Sequence, residues 1–266
     1  MIKLFVSDID GTMLHEGQLF ETDIRALKEL IDQNIYLCFA SGRVDSEIVS
    51  IMEELGGDFH RISMNGTYIY SKEGDELLKA SFNPSALATI YEAISPDKFL
   101  RYAADDRAYY IEEKTELVKE IEKKAQLLTI EEPNLKNELG KSIVPGKFVV
   151  LGEDEDLLIL QEQLQTEMPE LVTSFISAKN CLDIVPVNVS KGSAISILMD
   201  KLNLNTNEIA CVGDSYNDIP MFSITPHSFA MMNADDLVKS KATQVVESVA
   251  EAVEKVLNYN VNKLGK

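Results

Sequence analysis

Asp8 and Asp10 stand two residues apart in Asp8-Ile9-Asp10-Gly11-Thr12, directly after the apolar run Ile2–Ser7. In an extended segment such residues project to the same side, so both carboxylates can address one centre. Gly11 lets the chain turn, and the N–H groups of the turn can hold an anion. An Asp-Gly turn with incidental acids explains this run equally well, so the decision lies elsewhere in the chain. Ser41-Gly42-Arg43 follows a second apolar run, Ile35–Ala40, and Lys191-Gly192 opens a helical stretch after Val189-Ser190. Gly213-Asp214-Ser215-Tyr216-Asn217-Asp218 follows a third apolar run, Ile209–Val212. Each segment alone has a plain structural reading: Ser41 as a helix cap, Lys191 as a solvated helix residue, Asp214 and Asp218 as charges at a helix N-terminus. Together, three of the four lie where a predicted strand ends, and they assemble carboxylates, a hydroxyl and a cation into one site.

The elements that must position these groups alternate. Strand-length apolar runs at Ile2–Ser7, Ile35–Ala40, Ile209–Val212 and Ser228–Met232 are interleaved with helical periods at Thr22–Gln33, around Ile48–Leu55, at Lys191–Leu202 and at Asp218–Ser223. Strands buried on both faces with helical crossovers imply an α/β fold, a Rossmann-like doubly wound parallel sheet. Thr67–Tyr70 reads as a hairpin arm turning at Lys72-Glu73-Gly74-Asp75. Between Pro84 and Pro186 the spacing widens and charge increases. Helices are predicted there at Ala86–Ile94, Lys114–Leu128 and Asp154–Glu167, and strands at Leu100–Tyr102, Tyr109–Glu112, Lys147–Leu151, Leu171–Ser174 and Leu182–Val185. This is an inserted α+β unit over 83–186.

The ordered set Asp8-x-Asp10-Gly11-Thr12, Ser41-Gly42-Arg43, Lys191-Gly192 and Gly213-Asp214-Ser215-x-Asn217-Asp218-x-x-Met221 resembles the haloacid-dehalogenase (HAD) superfamily. The insertion between the second and third motifs is similar to the α+β C2 cap of Cof-type phosphatases. Asn65-Gly66, Asp183-x-x-Pro186 and Ala230-Met231-Met232-Asn233-Ala234 extend the likeness. Met232, where the family usually has Gly, and Asn188-Val189, where it usually has Gly-Val, depart from it. The resemblance implies a discontinuous catalytic core, 1–82 plus 187–266, and a cap over 83–186. It implies Asp8 as nucleophile, forming an aspartyl-phosphate, and Asp10 as general acid and then base. Mg²⁺ is the implied ion, since oxygen ligands are present and no His/Cys cluster is. Its ligands would be Asp8, the Asp10 carbonyl and Asp214, with Asp218 acting through water or by orienting Lys191. Ser41, Gly42, Lys191 and Asn217 would hold the phosphoryl oxygens. Arg43 would either meet the substrate beyond its phosphate or tie its loop to neighbouring carboxylates.

Composition narrows the partners. Lys+Arg 25 against Asp+Glu 44 gives a net charge of −19 over 266 residues, which repels nucleic acid and anionic membranes. No apolar run approaches the ~18 residues of a membrane span, and acid arrives too early at the N-terminus for a signal peptide. Cys38, Cys181 and Cys211 lie far apart without CxxC spacing, and Cys38 and Cys211 sit inside apolar runs, as buried thiols of a cytoplasmic protein would. His15 reads as a surface-loop residue, and His60 and His227 receive no role. The expectation is a cytoplasmic, Mg²⁺-dependent phosphatase of a small phosphorylated metabolite, a sugar phosphate or a cofactor-precursor phosphate. A hexose phosphomutase of the same superfamily is the alternative enzyme. A non-catalytic ligand-binding or regulatory protein is the alternative class, although such a protein would be free to lose Asp8 or Asp10. The substrate and the oligomeric state have no readable code.

Overall fold

Leu4–Ser7 is buried along its whole length because it lies in the middle of an eight-stranded sheet, flanked in parallel by Ile209–Gly213 and Tyr36–Ala40. The computed structural model describes every residue except 16, 96, 126–128 and 265–266. Across this sheet the strands run Gln244–Val246, Ser228–Met231, Ile209–Gly213, Leu4–Ser7, Tyr36–Ala40, His60–Ser63, Tyr68–Tyr70 and Glu76–Lys79. The first six are parallel; the last two turn back as the predicted hairpin and form an antiparallel edge. Alternation along the central strand sends Phe5 to one face and Leu4 and Val6 to the other. Phe5 meets Leu27 and Leu30 of the helix Glu21–Asp32 and Val253 and Val256 of the helix Val249–Leu264. Leu4 and Val6 meet Ala194, Ile195 and Leu198 of the helix Lys191–Leu202. Helices thus cover both faces, as a doubly wound sheet requires.

The sheet's functional consequence lies in its register. Ser7 pairs with Val212 on one side and Phe39 on the other, so three parallel strands end level with one another. Asp8, Ser41 and Asp214 therefore emerge side by side at one edge, the edge where open α/β sheets bind ligands.

A second sheet has six strands in the order Thr129–Glu131, Tyr109–Ile111, Leu100–Ala104, Lys147–Leu151, Cys181–Pro186 and Val172–Ala178. Phe148 and Val150 face the helices Leu87–Ala93 and Asp154–Glu167, packing with Ile90, Leu157 and Leu160. Val149 faces the other way, with Tyr102 and Tyr109, and this cluster includes Val44, Met64 and Tyr68 from the region of the first sheet. The two sheets touch closely at Gly146, where an added Cβ would lie 2.6 Å from Thr67 Cγ2.

Several expectations shift at their boundaries. The predicted Lys114–Leu128 helix spans Glu116–Ala125 among the described residues, 126–128 lying outside them. The Asp218–Ser223 helix is a 3₁₀ turn, Tyr216–Asp218, followed by Ile219–Phe222. Pro186 does not stand outside its strand but ends it, paired with Val172. The sequence reading omitted the strands Thr129–Glu131 and Gln244–Val246 and the helix Val249–Leu264. The strands have only three residues each, too few for a period to register. The helix carries a plain period in its buried Val249, Ala252, Val253 and Val256. Among the described residues, no helix is long and apolar enough to cross a membrane.

Candidate active site

Lys191 is held by the start of its helix. Ser190 caps that helix, its hydroxyl accepting from Ser193 N at 3.0 Å while Ser193 Oγ accepts from Ser190 N at 2.9 Å. The side chain, 1% exposed, donates to Asp8 Oδ1 at 2.7 Å and to Asp218 Oδ1 at 2.6 Å. Asp218 is fully buried and committed: its Oδ2 accepts from the backbone N–H groups of Asp214 and Ser215 at 2.8 and 2.9 Å. It anchors the loop after Ile209–Gly213 and orients the ammonium. Asp214 in turn accepts from Thr12 Oγ1 at 2.8 Å, which joins the two motif loops.

Electrostatics at this cluster are unbalanced. Burial pushes the Asp8 carboxyl well above its ordinary range, Asp218 adding to the rise and Lys191 opposing it. Burial, with the Asp218 charge, raises Asp214 to about 6. Burial also disfavours the Lys191 charge, but Asp218 and Asp8 outweigh it and keep the ammonium protonated. Three carboxylates share one cation, and oxygens of Asp8, Asp214 and Asp218 lie within 4.8 Å of one another. A divalent cation with oxygen ligands fits that donor set and supplies the missing charge. Asp8 and Asp214 are the better donors, since both Asp218 oxygens already accept hydrogen bonds.

Gly11 adopts φ +77°, and a Cβ there would overlap the Asp214 carboxylate, so the turn after Asp10 tolerates no side chain. Asp10 does not join the carboxylate cluster. Its side chain, 54% exposed, accepts two hydrogen bonds from Arg43, Nε to Oδ2 at 2.8 Å and Nη2 to Oδ1 at 2.7 Å. Of the two readings of Arg43, the contact found here is the tie to a neighbouring carboxylate. Ser41 is 1% exposed, and its hydroxyl accepts from Arg43 N at 3.1 Å.

The remaining loop residues join a polar chain that spans both sheets. Asn217 Nδ2 donates to Asn65 Oδ1 at 3.0 Å, and Asn65 Nδ2 to Asp183 Oδ2 at 2.7 Å. Lys147 Nζ donates to the same Asp183 oxygen at 3.1 Å and to the Gly42 carbonyl at 2.7 Å. Met64 and Asn65 both sit at positive φ, a strained turn that aims the amide at Asp183. Lys147 was missed as a functional candidate, and Asn65 and Asp183 entered only through the family likeness. Their sequence signal was a charge inside or beside an apolar strand, which burial permits only with a partner. His15 Nε2 lies 2.9 Å from the Thr12 carbonyl, beside the turn that follows Asp10, while burial holds the His60 imidazole below its ordinary pKa within the first sheet.

Asp8, Asp10, Ser41, Gly42, Arg43, Asp214 and Asn217 line one cavity of about 1080 Å³, roofed by the second sheet. Lys191 lies beneath its floor, behind Asp8.

The family described as haloacid dehalogenase-like hydrolase matches residues 5–257. The HMP-PP phosphatase of Klebsiella pneumoniae (strain 342) is 29% identical over 243 residues, covering 91% of this chain and 88% of that protein. The HMP-PP phosphatase of Escherichia coli O6:H1 is 30% identical over 240 residues, covering 88% and 85%. A Thermotoga maritima protein of known crystal structure has a TM-score of 0.82 at 30% identity, covering 96% of this chain and 97% of that one. A haloacid dehalogenase-like hydrolase from B. subtilis has a TM-score of 0.86 at 23% identity, a likeness of fold, covering 95% and 99%.

Proposed function

The chain belongs to the haloacid dehalogenase-like hydrolases, and from that membership we propose a Mg²⁺-dependent phosphatase that hydrolyses a small phosphorylated metabolite. The observation that carries the reading is the Asp8 carboxylate fixed at the cavity floor by Lys191, with Asp214 alongside. The HMP-PP phosphatases among its relatives support the reaction class.

Asp8 is the nucleophile. One carboxylate oxygen forms a bond to phosphorus as the bond to the substrate oxygen breaks, leaving an aspartyl-phosphate. Asp10 gives its proton to the departing oxygen and then takes one from the water that attacks phosphorus. That second displacement releases inorganic phosphate and restores Asp8. Arg43 orients Asp10 through its two hydrogen bonds and must yield as the acid reaches the leaving group. Ser41, the Gly42 amide, Lys191 and Asn217 hold the phosphoryl oxygens as charge accumulates on them. Asp8, the Asp10 carbonyl and Asp214 would hold the cation, which offsets the phosphate charge against the carboxylates. Asp218 keeps Lys191 aimed at Asp8. In this reading 1–82 plus 187–266 form the catalytic unit, and 83–186 is a cap that closes over the cavity. The three free cysteines suit a cytoplasmic setting.

A screen of phosphorylated metabolites tests the reading, with Asp8→Asn as its control. The amide cannot attack phosphorus, so turnover should fall to below a few per cent of wild type, on the order of the losses seen when a nucleophile is removed. Retention of more would sink the covalent mechanism. In ¹⁸O-water a phosphatase releases labelled phosphate, whereas phosphate migrating between sugar hydroxyls on bisphosphate activation would mark a mutase.

A further inference from the structure

We propose that Lys147, carried by the second sheet, is a positioning residue for the phosphoryl-binding loop of the first. By holding the Gly42 carbonyl it fixes the peptide that directs the Ser41 hydroxyl into the cavity. The inference rests on the phosphatase reading and adds to it a residue that touches neither the phosphate nor the cation.

The loop 41–43 can be accounted for group by group. Ser41 N donates to the Ile62 carbonyl at 2.8 Å, the Ser41 carbonyl accepts from Asn65 N at 2.9 Å, and the Arg43 carbonyl accepts from Met64 N at 2.9 Å. Arg43 N donates to Ser41 Oγ at 3.1 Å. All these partners belong to the loop itself or to the strand and turn beside it in the first sheet. The Gly42 carbonyl differs: it accepts from Lys147 Nζ at 2.7 Å, across 105 positions and from the other sheet. Gly42 N–H has no partner among the described residues, and the Ser41 hydroxyl, which accepts from Arg43 N, keeps its own proton to donate. These two donors are what the loop has left for a phosphoryl oxygen.

The Gly42 carbonyl and the Arg43 N–H belong to one planar peptide unit, so Lys147 and Ser41 Oγ grip its two ends. Gly42 has no side chain to restrict the two dihedrals that join this unit to the one before it, and hydrogen bonds must do so instead. If the unit turned, the Arg43 N–H would leave Ser41 Oγ and the hydroxyl would lose its direction.

Lys147 is 3% exposed, and a buried ammonium is costly unless its protons find acceptors. Its other acceptor is Asp183 Oδ2 at 3.1 Å, which also accepts from Asn65 Nδ2 at 2.7 Å. Glu47, a further acid whose carboxyl feels the Lys147 charge, accepts from Val44 N at 3.3 Å. An ion pair serving stability alone would need only Asp183, yet the shorter of the two Lys147 bonds goes to the Gly42 carbonyl.

The test separates these two partners, with p-nitrophenyl phosphate and Mg²⁺ as the assay. Asp183→Asn keeps an oxygen for Asn65 and Lys147 and spares the Gly42 contact, so kcat and KM should stay within about threefold of wild type. Lys147→Met combined with Asp183→Asn removes the donor to Gly42 without stranding a buried carboxylate. Against Asp183→Asn alone, its kcat should fall about thirtyfold with KM changed by less than about threefold, because the loop donors hold charge that develops in the transition state. The inhibition constant of orthovanadate, which takes the geometry of that state, should rise by about as much as kcat/KM falls. Mg²⁺ affinity by calorimetry, set at Asp8 and Asp214, should stay within about twofold. Lys147→Gln, one atom shorter than lysine and so out of reach of the carbonyl, should show the same split and serves if the double variant does not fold. A kcat within about threefold of Asp183→Asn alone makes the contact structural and overturns the proposal. So does a rise in KM with kcat kept, which would make Lys147 a substrate contact. Either result leaves the phosphatase reading standing, whereas a wild-type protein that hydrolyses neither p-nitrophenyl phosphate nor any metabolite of the wider screen removes both.

Discussion

Burial leaves Asp8 and Asp214 reluctant to ionise, and this has a measurable sign. Asp214 titrates at about 6 in the fold against 3.8 ordinarily, and Asp8 is raised as well. Across that interval the metal-free native state binds more protons than the unfolded chain, so these groups stabilise the fold at low pH and cease to as pH rises through about 6. A cation that takes both carboxylates must displace those protons. Calorimetric titration should therefore show Mg²⁺ affinity weakening by roughly tenfold or more per pH unit below about 6, a factor of about ten for each proton displaced. Affinity that stays flat from acid to neutral pH would separate these carboxylates from metal binding.

At the scale of elements, the site depends on loops that touch only because their strands end level. Gly11 turns at φ +77° against the Asp214 carboxylate. Gly11→Ala should cost about 1 kcal/mol of stability from the left-handed backbone, yet lower kcat and Mg²⁺ affinity on the order of a hundredfold, because the methyl group displaces Asp214. A variant with wild-type kcat would show that Asp214 need not hold its position. Between the sheets, Lys147→Met leaves Asp183 as a buried charge with one amide partner. Urea unfolding should register a loss of about 3 kcal/mol, and Lys147→Met with Asp183→Asn should lose less than the two single variants summed. Additive losses would mean that the pair is not coupled.

For the whole molecule, a net charge of −19 opposes a dianionic substrate at long range, and the local cations must reverse that field at the cavity. Screening should help. With Mg²⁺ saturating, kcat/KM for a small phosphomonoester should rise by about two- to fivefold as ionic strength goes from about 0.01 M to about 0.15 M, where the Debye length falls to about 8 Å. A fall over that range would mean that steering by the site's own cations dominates.

What the sequence determined by itself was local. Apolar runs of strand length, the helical period of Glu21–Asp32 and Lys191–Leu202, and turn residues such as Gly11 identify elements because backbone preference and burial act over a few neighbours. The order of the motifs then indicated that Asp8, Ser41, Lys191 and Asp214 converge, since a parallel sheet must bring successive strand ends to one edge. Short strands such as Thr129–Glu131 left no period to read. Which partner each side chain takes was decided only in three dimensions. Arg43 reaches Asp10 across 33 positions, Asn65 reaches Asp183 across 118, and Lys191 reaches Asp8 across 183. A charge may be buried wherever a complementary group awaits it, and pairing at such separations follows from the packing of distant elements, which no local stretch of chain encodes.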